Sequence, residues 1–171
     1  SNCVKVEDGT NGLQIAGSFF TGSALNHPHG HWLTCGSGDR MVVPNVFRGA
    51  GLAGSISIID TLTGNILKEF IYDPNDPLLS ALLMPLAAGE CHVRGVQKAY
   101  VGNVASGFVT VINVDTMSVV TNIPVTLTPD GQTGKGILDT LQVPIQTPVS
   151  PDGKWVATCV FSITTVPRST T

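Results

Sequence analysis

The amino-acid sequence predicts an all-β fold built from repeated, turn-rich units, and three observations support this. The composition is 42% hydrophobic and only 12% charged, with 19 Gly and 11 Pro among 171 residues, which is typical of short strands joined by tight turns. The region Lys98–Val125 alternates β-branched runs with turn residues. An earlier stretch of the chain repeats that pattern.

Lys98–Val125 is the clearest part of the pattern. We predict three strands in it, at Ala99–Asn103, Phe108–Val114 and Val119–Val125, because Val, Ile, Tyr and Phe dominate these runs. Turn-forming residues separate the runs, at Ala105–Gly107 and again from Asp115. The segment is therefore predicted to be an antiparallel meander.

The same segment resembles one blade of the YVTN-repeat β-propellers. The repeat of that family ends a strand in YV-x-N and continues through a V-x-V-I-D strand; here these pieces are Tyr100–Asn103 and Val109–Asn113. The resemblance implies a β-propeller of four-stranded blades. A small β-sandwich is the alternative, and the internal repetition argues against it.

Two further copies of the blade pattern are present. Residues 38–45 align with residues 95–103, and Ser55–Thr61 aligns with Phe108–Thr116, which pairs Asp60 with Asp115. Each aspartate is expected to fix a turn through its carboxylate. A third copy begins at Ser150 with the sequence SPDGK, and its Trp155 is expected to pack between blades.

These copies amount to about two and a half four-stranded blades. Propellers close with about four to eight blades, so we expect a fragment of a larger, seven-bladed propeller, or a chain that other blades or subunits complete. The start Ser1-Asn2-Cys3 is interpreted as that of a processed or partial chain. The predicted division is residues 1–26, an N-terminal extension or the end of a preceding blade; 27–90, a first blade with an insertion at 72–90; 91–146, a second blade with a long connection at 126–146; and 147–171, the start of a third.

Charge and hydropathy exclude two classes of partner. The net charge is −3 and the pI is about 5.7, so no basic surface is predicted that would bind nucleic acid. No apolar run reaches the length of a membrane helix. The longest, Pro77–Ala88, is predicted to contain one short helix and to be an exposed surface for a protein partner. The four cysteines form no C-x-x-C motif.

The histidines carry the main functional signal. All four occur upstream of predicted strands, as His27, His29 and His31 in the sequence HPHGH, and as His92. Alternate residues of an extended chain share one face, so the first three can present imidazoles together. Imidazole is a common ligand of copper, zinc, iron and nickel. We expect the segments that enter the blades to lie at the channel mouth, where His92 would supply a fourth nitrogen.

The family comparison favours copper for this site. Histidines directed into a propeller channel resemble those of nitrous oxide reductase, thiocyanate dehydrogenase and the haem d1 propellers, which implies an exported protein, periplasmic or extracellular, and a possible metal-dependent oxidoreductase. Arg94, two residues beyond His92, would bind an anion as a cofactor or substrate group. No catalytic residue is identified.

Two other functions stay open at this stage. One is a non-catalytic YVTN propeller that acts as a cell-surface or protein-interaction scaffold, with incidental histidines. The weaker one is a haem-binding propeller with a histidine as axial ligand.

Overall fold

The computed structural model describes residues 3–7, 15–20, 26–28, 33–35, 39–93, 95–125, 140–150 and 152–164. Within these ranges the chain is almost entirely β-structure: thirteen strands and one short 3₁₀ helix, at Leu79–Ala81. The predicted all-β fold is confirmed. No helix in the described ranges has both the length and the apolar character needed to cross a membrane.

The strands form four antiparallel sheets in chain order. A first hairpin pairs β1 with β2, and a last one pairs β12 with β13. Between them lie two larger sheets, called here the first and second sheets, with orders β3/β4-β5-β6-β7 and β8-β9-β10-β11. The strands are β1 Cys3–Glu7, β2 Ile15–Phe20, β3 Asn26–Pro28, β4 Leu33–Cys35, β5 Arg40–Arg48, β6 Ser55–Asp60, β7 Ile66–Ile71, β8 Pro85–Val93, β9 Val96–Asn103, β10 Phe108–Asn113, β11 Ser118–Pro124, β12 Thr140–Gln146 and β13 Cys159–Thr164.

The second sheet is a four-stranded meander of the kind predicted for a propeller blade, and the first sheet has the same four strand positions filled by five strands. In the first sheet the innermost position is shared by two short strands, β3 and β4, which both pair with β5. In the second sheet it is filled by the continuous strand β8. The β9-β10-β11 meander lies where the sequence predicted it, to within three residues at each end.

Neighbouring sheets pack face to face through their first strands. Strands β4 and β5 contact β8, and β12 contacts β8 and β9. One apolar cluster fills the space between the first and second sheets; it comprises Val42, Ile56, Ile58, Phe70, Leu82, Ala99, Val101, Ile112 and Val114. A second cluster, formed by Tyr100, Val109 and Val111, lies on the opposite face of the second sheet, against Val149 and Val156. This is the stacking of successive propeller blades.

The region Pro77–Ala88 differs from its prediction. Its helical part is the single turn Leu79–Ala81, and the chain enters β8 at Pro85, so residues 85–90 belong to the second sheet rather than to an insertion of the first blade. Leu82, Ala81 and Ala87 are buried. Pro77 is exposed and Leu78, Leu79 and Leu83 are partly buried, so a protein partner at this region stays a prediction.

Two smaller predictions are also corrected. Asp60 pairs with Arg40, five residues before Asn45, and Asn113 pairs with Lys98, five residues before Asn103. The residue equivalent to Asp60 is therefore Asn113. The Asn113 side chain accepts a hydrogen bond from the Thr116 amide, as Asp60 does from Leu62 and Thr63. Trp155 is 74% exposed rather than packed between blades, since it stands at the tip of the turn that its amide closes onto Ser150 Oγ.

Candidate functional site

Two asparagines, Asn45 and Asn103, fix the equivalence of the two sheets. Asn45 of β5 pairs with Pro28, and Asn103 of β9 pairs with Pro85. Both asparagines are fully buried. Position 45 in the first sheet therefore corresponds to position 103 in the second, and every other residue of β5 and β9 can be matched from this pair.

The register places His27 and His92 at different ends of the innermost strand position. His27 pairs with Phe47, two residues beyond Asn45, whereas His92 pairs with Gln97, six residues before Asn103. Eight residues of extended chain correspond to roughly 26 Å along the strand direction. The expected convergence of equivalent histidines is therefore not what the register shows, although the metal-binding role of each histidine stays a prediction.

The remaining predicted ligands fall outside the described residues: His29, His31 and Arg94. His29 and His31 belong to the segment 29–32, which joins β3 to β4. Both ends of that segment are fixed on the same strand, because Pro28 pairs with Asn45 and Leu33 pairs with Val42. On either side of this segment, Pro28 and Leu33 thus lie at the innermost position of the first sheet.

Each strand of the second sheet has one face toward the first sheet and one toward the last hairpin. Along β8, Ala88 packs in the cluster between the first and second sheets. A side chain at Gly89 would collide with the Thr147 carbonyl, beyond β12.

A polar row crosses each of the two large sheets and was missed from the sequence. In the second sheet Asn103 Nδ2 donates to Thr110 Oγ1 at 2.8 Å, and that hydroxyl donates to Asn122 Oδ1 at 2.8 Å. In the first sheet Asn45 Nδ2 donates to Ser57 Oγ at 2.9 Å and to Ser55 Oγ at 3.1 Å. The spacing of these residues along separate strands gives no local signal, so only strand pairing reveals the row.

The polar row of the first sheet ends at a carboxylate. Glu69 Oε1 accepts from Asn26 Nδ2 at 2.7 Å and from Ser55 Oγ at 3.0 Å, and Arg48 Nε lies 4.0 Å away. This network satisfies the charge with neutral donors and binds β3 to β7 across the sheet. The Asn26, Ser55 and Glu69 side chains are engaged with one another, which is the arrangement of a structural network.

An arginine joins the first sheet to the second. Arg40 Nη1 donates to the Val114 carbonyl at 2.7 Å and lies 3.9 Å from Asp115 Oδ1. The other Asp115 oxygen accepts from the Gln97 amide at 2.8 Å. Arg40 therefore occupies the space beside the beginning of β9, close to the register of His92.

Two exposed carboxylates at turns have altered acidity. The Thr63 amide hydrogen bond lowers the pKa of Asp60, and the Ser150 hydroxyl lowers the pKa of Asp152, each by stabilising the charged form. Both are turn-fixing groups. Among side chains that the structure describes, no three His, Cys, Asp or Glu residues come together as metal ligands.

An apolar cavity of about 260 Å³ opens between the second sheet and the last hairpin. It is lined by Val109, Ile123, Pro124, Val125, Val156 and Thr158. Ile123 is 44% exposed at its edge. The two-stranded last hairpin packs on the inner strands of the second sheet, β8 and β9. The cavity lies next to this contact, beside residues of β10 and β11.

No protein-family model and no curated protein sequence matches the chain. Among 30 matching chains of solved structures is hydrazine synthase of Kuenenia stuttgartiensis, with 13% sequence identity and a TM-score of 0.43. The match covers 96% of this chain and 65% of that one, so the chain spans less than two thirds of this neighbour. The fold assignment rests on the strand pairing described above.

Proposed function

We propose that this chain is a metal-binding β-propeller module that holds copper through His27, His29 and His31. The observation that supports the proposal is the anchoring of the H-x-H-x-H segment on β5 at both of its ends. On this proposal, the three imidazoles of this short segment bind one ion together. Three nitrogen ligands leave further coordination positions for a substrate or for a ligand from another blade.

Copper is the metal that this ligand set favours. Imidazole nitrogens bind Cu(II) more tightly than the other common divalent ions of the first transition series, in the usual order of stability. We further propose that the module belongs to an exported, YVTN-type propeller of seven blades, periplasmic or extracellular, with oxidoreductase chemistry at the copper. A histidine-ligated haem is the weaker alternative for the same position.

Metal analysis of site variants tests this proposal. The purified chain, loaded with Cu(II) and desalted, is expected to retain about one copper per chain by elemental mass spectrometry. Substitution of His29 and His31 together by Ala should abolish retention, while His92→Ala should leave it intact because His92 lies at the other end of the strand position. Retention by the double variant, or no retention by the native chain, would contradict the copper site.

The alternative function, an interaction scaffold, is favoured by a different observation. The outer strands present large apolar side chains to solvent, including Ile66, Leu67, Val120 and Ile123, each at least 38% exposed. Among the residues that the structure describes, no strand pairs with the outer edge of β7 or of β11. On this reading the chain associates with further blades or a partner subunit, and the histidine variants would keep that association, measured as the mass of the complex in solution.

A further inference from the structure

We propose that two copies of this chain assemble head to tail through shared β-propeller blades. In a shared blade the last hairpin of one copy, β12-β13, forms the two inner strands, and the first hairpin of the other copy, β1-β2, forms the two outer strands. The proposal goes beyond the copper site and uses none of the histidines. It depends on the strand register of the first hairpin and on an exposed region of the second sheet.

The pairing register identifies the first hairpin as the outer half of a blade. In β6-β7 the register shifts within Ile58–Ile59, and in β10-β11 within Val111–Ile112. In β1-β2 it shifts within Val6–Glu7. In each pair the shift comes after four paired residues of the first strand and omits one residue of the second. The first hairpin therefore has the register of the third and fourth strands of a blade.

The turn sequence supports this assignment. Counted from the register shift, Gly64 and Met117 occupy the same position in the turns after β6 and β10. Both have a positive φ, of 73° and 52°, a conformation that glycine adopts at the lowest cost. The sequence has a glycine, Gly12, at the same position after β1. The first hairpin thus has the turn residue that this position favours.

Chain order gives the same assignment. The outermost strands β7 and β11 each precede the innermost strand of the next unit, and β2 precedes β3 and β4 in the same way. Within the described ranges, β1 and β2 pair only with each other. A two-stranded hairpin alone is marginally stable in water. The first hairpin is therefore expected to gain stability from an inner pair of strands.

The last hairpin is the complementary half of a blade. Strand β12 contacts β8 and β9, as an innermost strand does, and β13 pairs with β12 as the second strand. In the part of the chain that the structure describes, no strand pairs with the other edge of β13. The backbone N–H and C=O groups of such an edge can pair with a strand of another chain.

A matched pair of residues shows where outer strands would pack. The pair Ile56–Phe70 of the first sheet corresponds to the pair Val109–Ile123 of the second, since both stand at the same distance from the register shift. Phe70 is 6% exposed and packs in the cluster between the first and second sheets, against which Val119 of β11 also packs. Ile123 is 44% exposed and borders the cavity of about 260 Å³ beside the last hairpin. Third and fourth strands added to β13 would cover Ile123 as β11 covers Phe70.

A second copy of the chain supplies these strands. Within one copy, pairing of the first hairpin with the last would close a ring of three blades, fewer than the about four to eight that propellers have. Two copies provide four complete sheets and two shared blades, a ring of six. Head-to-tail contacts that close in this way form a symmetric ring rather than an open filament.

The ring of six blades is an alternative to the seven-bladed propeller proposed above. In the seven-bladed propeller, other subunits or further blades would cover Ile123 and pair with β13. The purified chain alone would then stay a single copy in solution. The two closures therefore predict different masses for the same sample.

Light scattering of the purified 171-residue chain tests the assembly. We expect a mass of twice the 17.9 kDa of one chain. Ile123→Asp should reduce it to the mass of one chain, because a carboxylate would be buried without a partner in the shared blade. Leu62→Asp is the matched control, since Leu62 is 86% exposed in the turn after β6, and should keep the mass of two chains.

Cross-linking of isotopically labelled copies tests which hairpins meet. Lys5 belongs to β1, and Lys154 stands five residues before β13, so the shared blade brings the two lysines near each other. Unlabelled and ¹⁵N-labelled chains are dissociated together in urea and reassembled. An amine-specific reagent should then join Lys5 to Lys154 in peptides of mixed label, and Lys5→Arg should remove this product while keeping the mass of two chains.

Four outcomes would overturn the proposal, with circular dichroism establishing that each variant is folded. They are a single-chain mass for the native chain, a mass above two chains, a two-chain mass for folded Ile123→Asp, and absence of the mixed Lys5–Lys154 product. Copper retention by Ile123→Asp should equal that of the native chain. Failure of the copper site and failure of the assembly are therefore read from separate measurements.

Discussion

Asn45 and Asn103 show how one buried carboxamide stabilises the end of a blade. Besides Thr110, Asn103 Nδ2 donates to the carbonyl of Phe108 at 3.2 Å, so it ties two strands together where their ladder ends. In both asparagines the Oδ1 atom has no partner among the described residues. The carboxamide is therefore held by its donor group, and its removal leaves buried acceptors unmatched.

At this scale we predict that Asn103→Ala lowers the free energy of unfolding by about 1–3 kcal/mol, the usual cost of leaving buried hydrogen-bonding groups unpaired. The measurement is urea denaturation followed by circular dichroism. Asn75→Ala is the control, because Asn75 is exposed and bonds only to nearby Asp73; such surface changes usually stay within about 0.5 kcal/mol. Equal losses in the two variants would contradict the structural role of Asn103.

Among the elements, the meander β9-β10-β11 was predictable and β8 was not. Val, Ile, Tyr and Phe mark the three outer strands, but β8 reads PLAAGECHV, in which Val93 at the end is the one β-branched residue of the kind that signals a strand. The reason is physical: β8 is packed on both faces, against β5 and β12, and small residues allow that close approach. The strand pairing of the histidine segments depends on β3, β4 and β8. It could not be predicted, because the sequences of these strands do not indicate β-structure.

The turn after β6 has a pH dependence that comes from Asp60. The charged carboxylate of Asp60 accepts hydrogen bonds from backbone amides of its turn. At the equivalent position, the neutral carboxamide of Asn113 accepts such a bond. Because these bonds lower the pKa of Asp60 in the folded state, its contribution to stability is complete above the ordinary carboxyl pKa of about 4. That contribution is lost as the pH falls through the lowered folded value.

We therefore expect Asp60→Asn to flatten the decline of stability below about pH 4 while changing stability little at neutral pH. Thermal unfolding between acid and neutral pH measures this, with Asp39→Asn as the control for a nearby exposed carboxylate. A decline as steep as in the native chain would mean that Asp60 titrates alike in the folded and unfolded states.

In the whole molecule, the joint between the second sheet and the last hairpin depends on the absence of a side chain at Gly89. Thr147 Oγ1 donates to the Tyr100 carbonyl at 2.6 Å, which holds the backbone of the last unit against the second sheet. A Cβ at position 89 would overlap the Thr147 carbonyl, so the two sheets could not keep this spacing.

Gly89→Ala is expected to destabilise the chain by about 1–3 kcal/mol, the range for overpacking a close contact. It should also raise amide hydrogen exchange in β12 more than in β6. Val120→Ala, at a 48% exposed position of β11, is the control and should change neither. Unchanged protection of β12 in folded Gly89→Ala would show that the hairpin docks by other contacts.

The small residues of β8 also bear on how many units complete the circle. Ala88 lies between the innermost strands of the first and second sheets, whereas bulkier side chains such as Phe70 and Ile112 lie between strands farther out, so the side chains between these two sheets form a wedge. The angle of a wedge, repeated, determines how many fit around one axis. The curvature of the ring is thus set locally, by a gradient of side-chain volume from axis to rim.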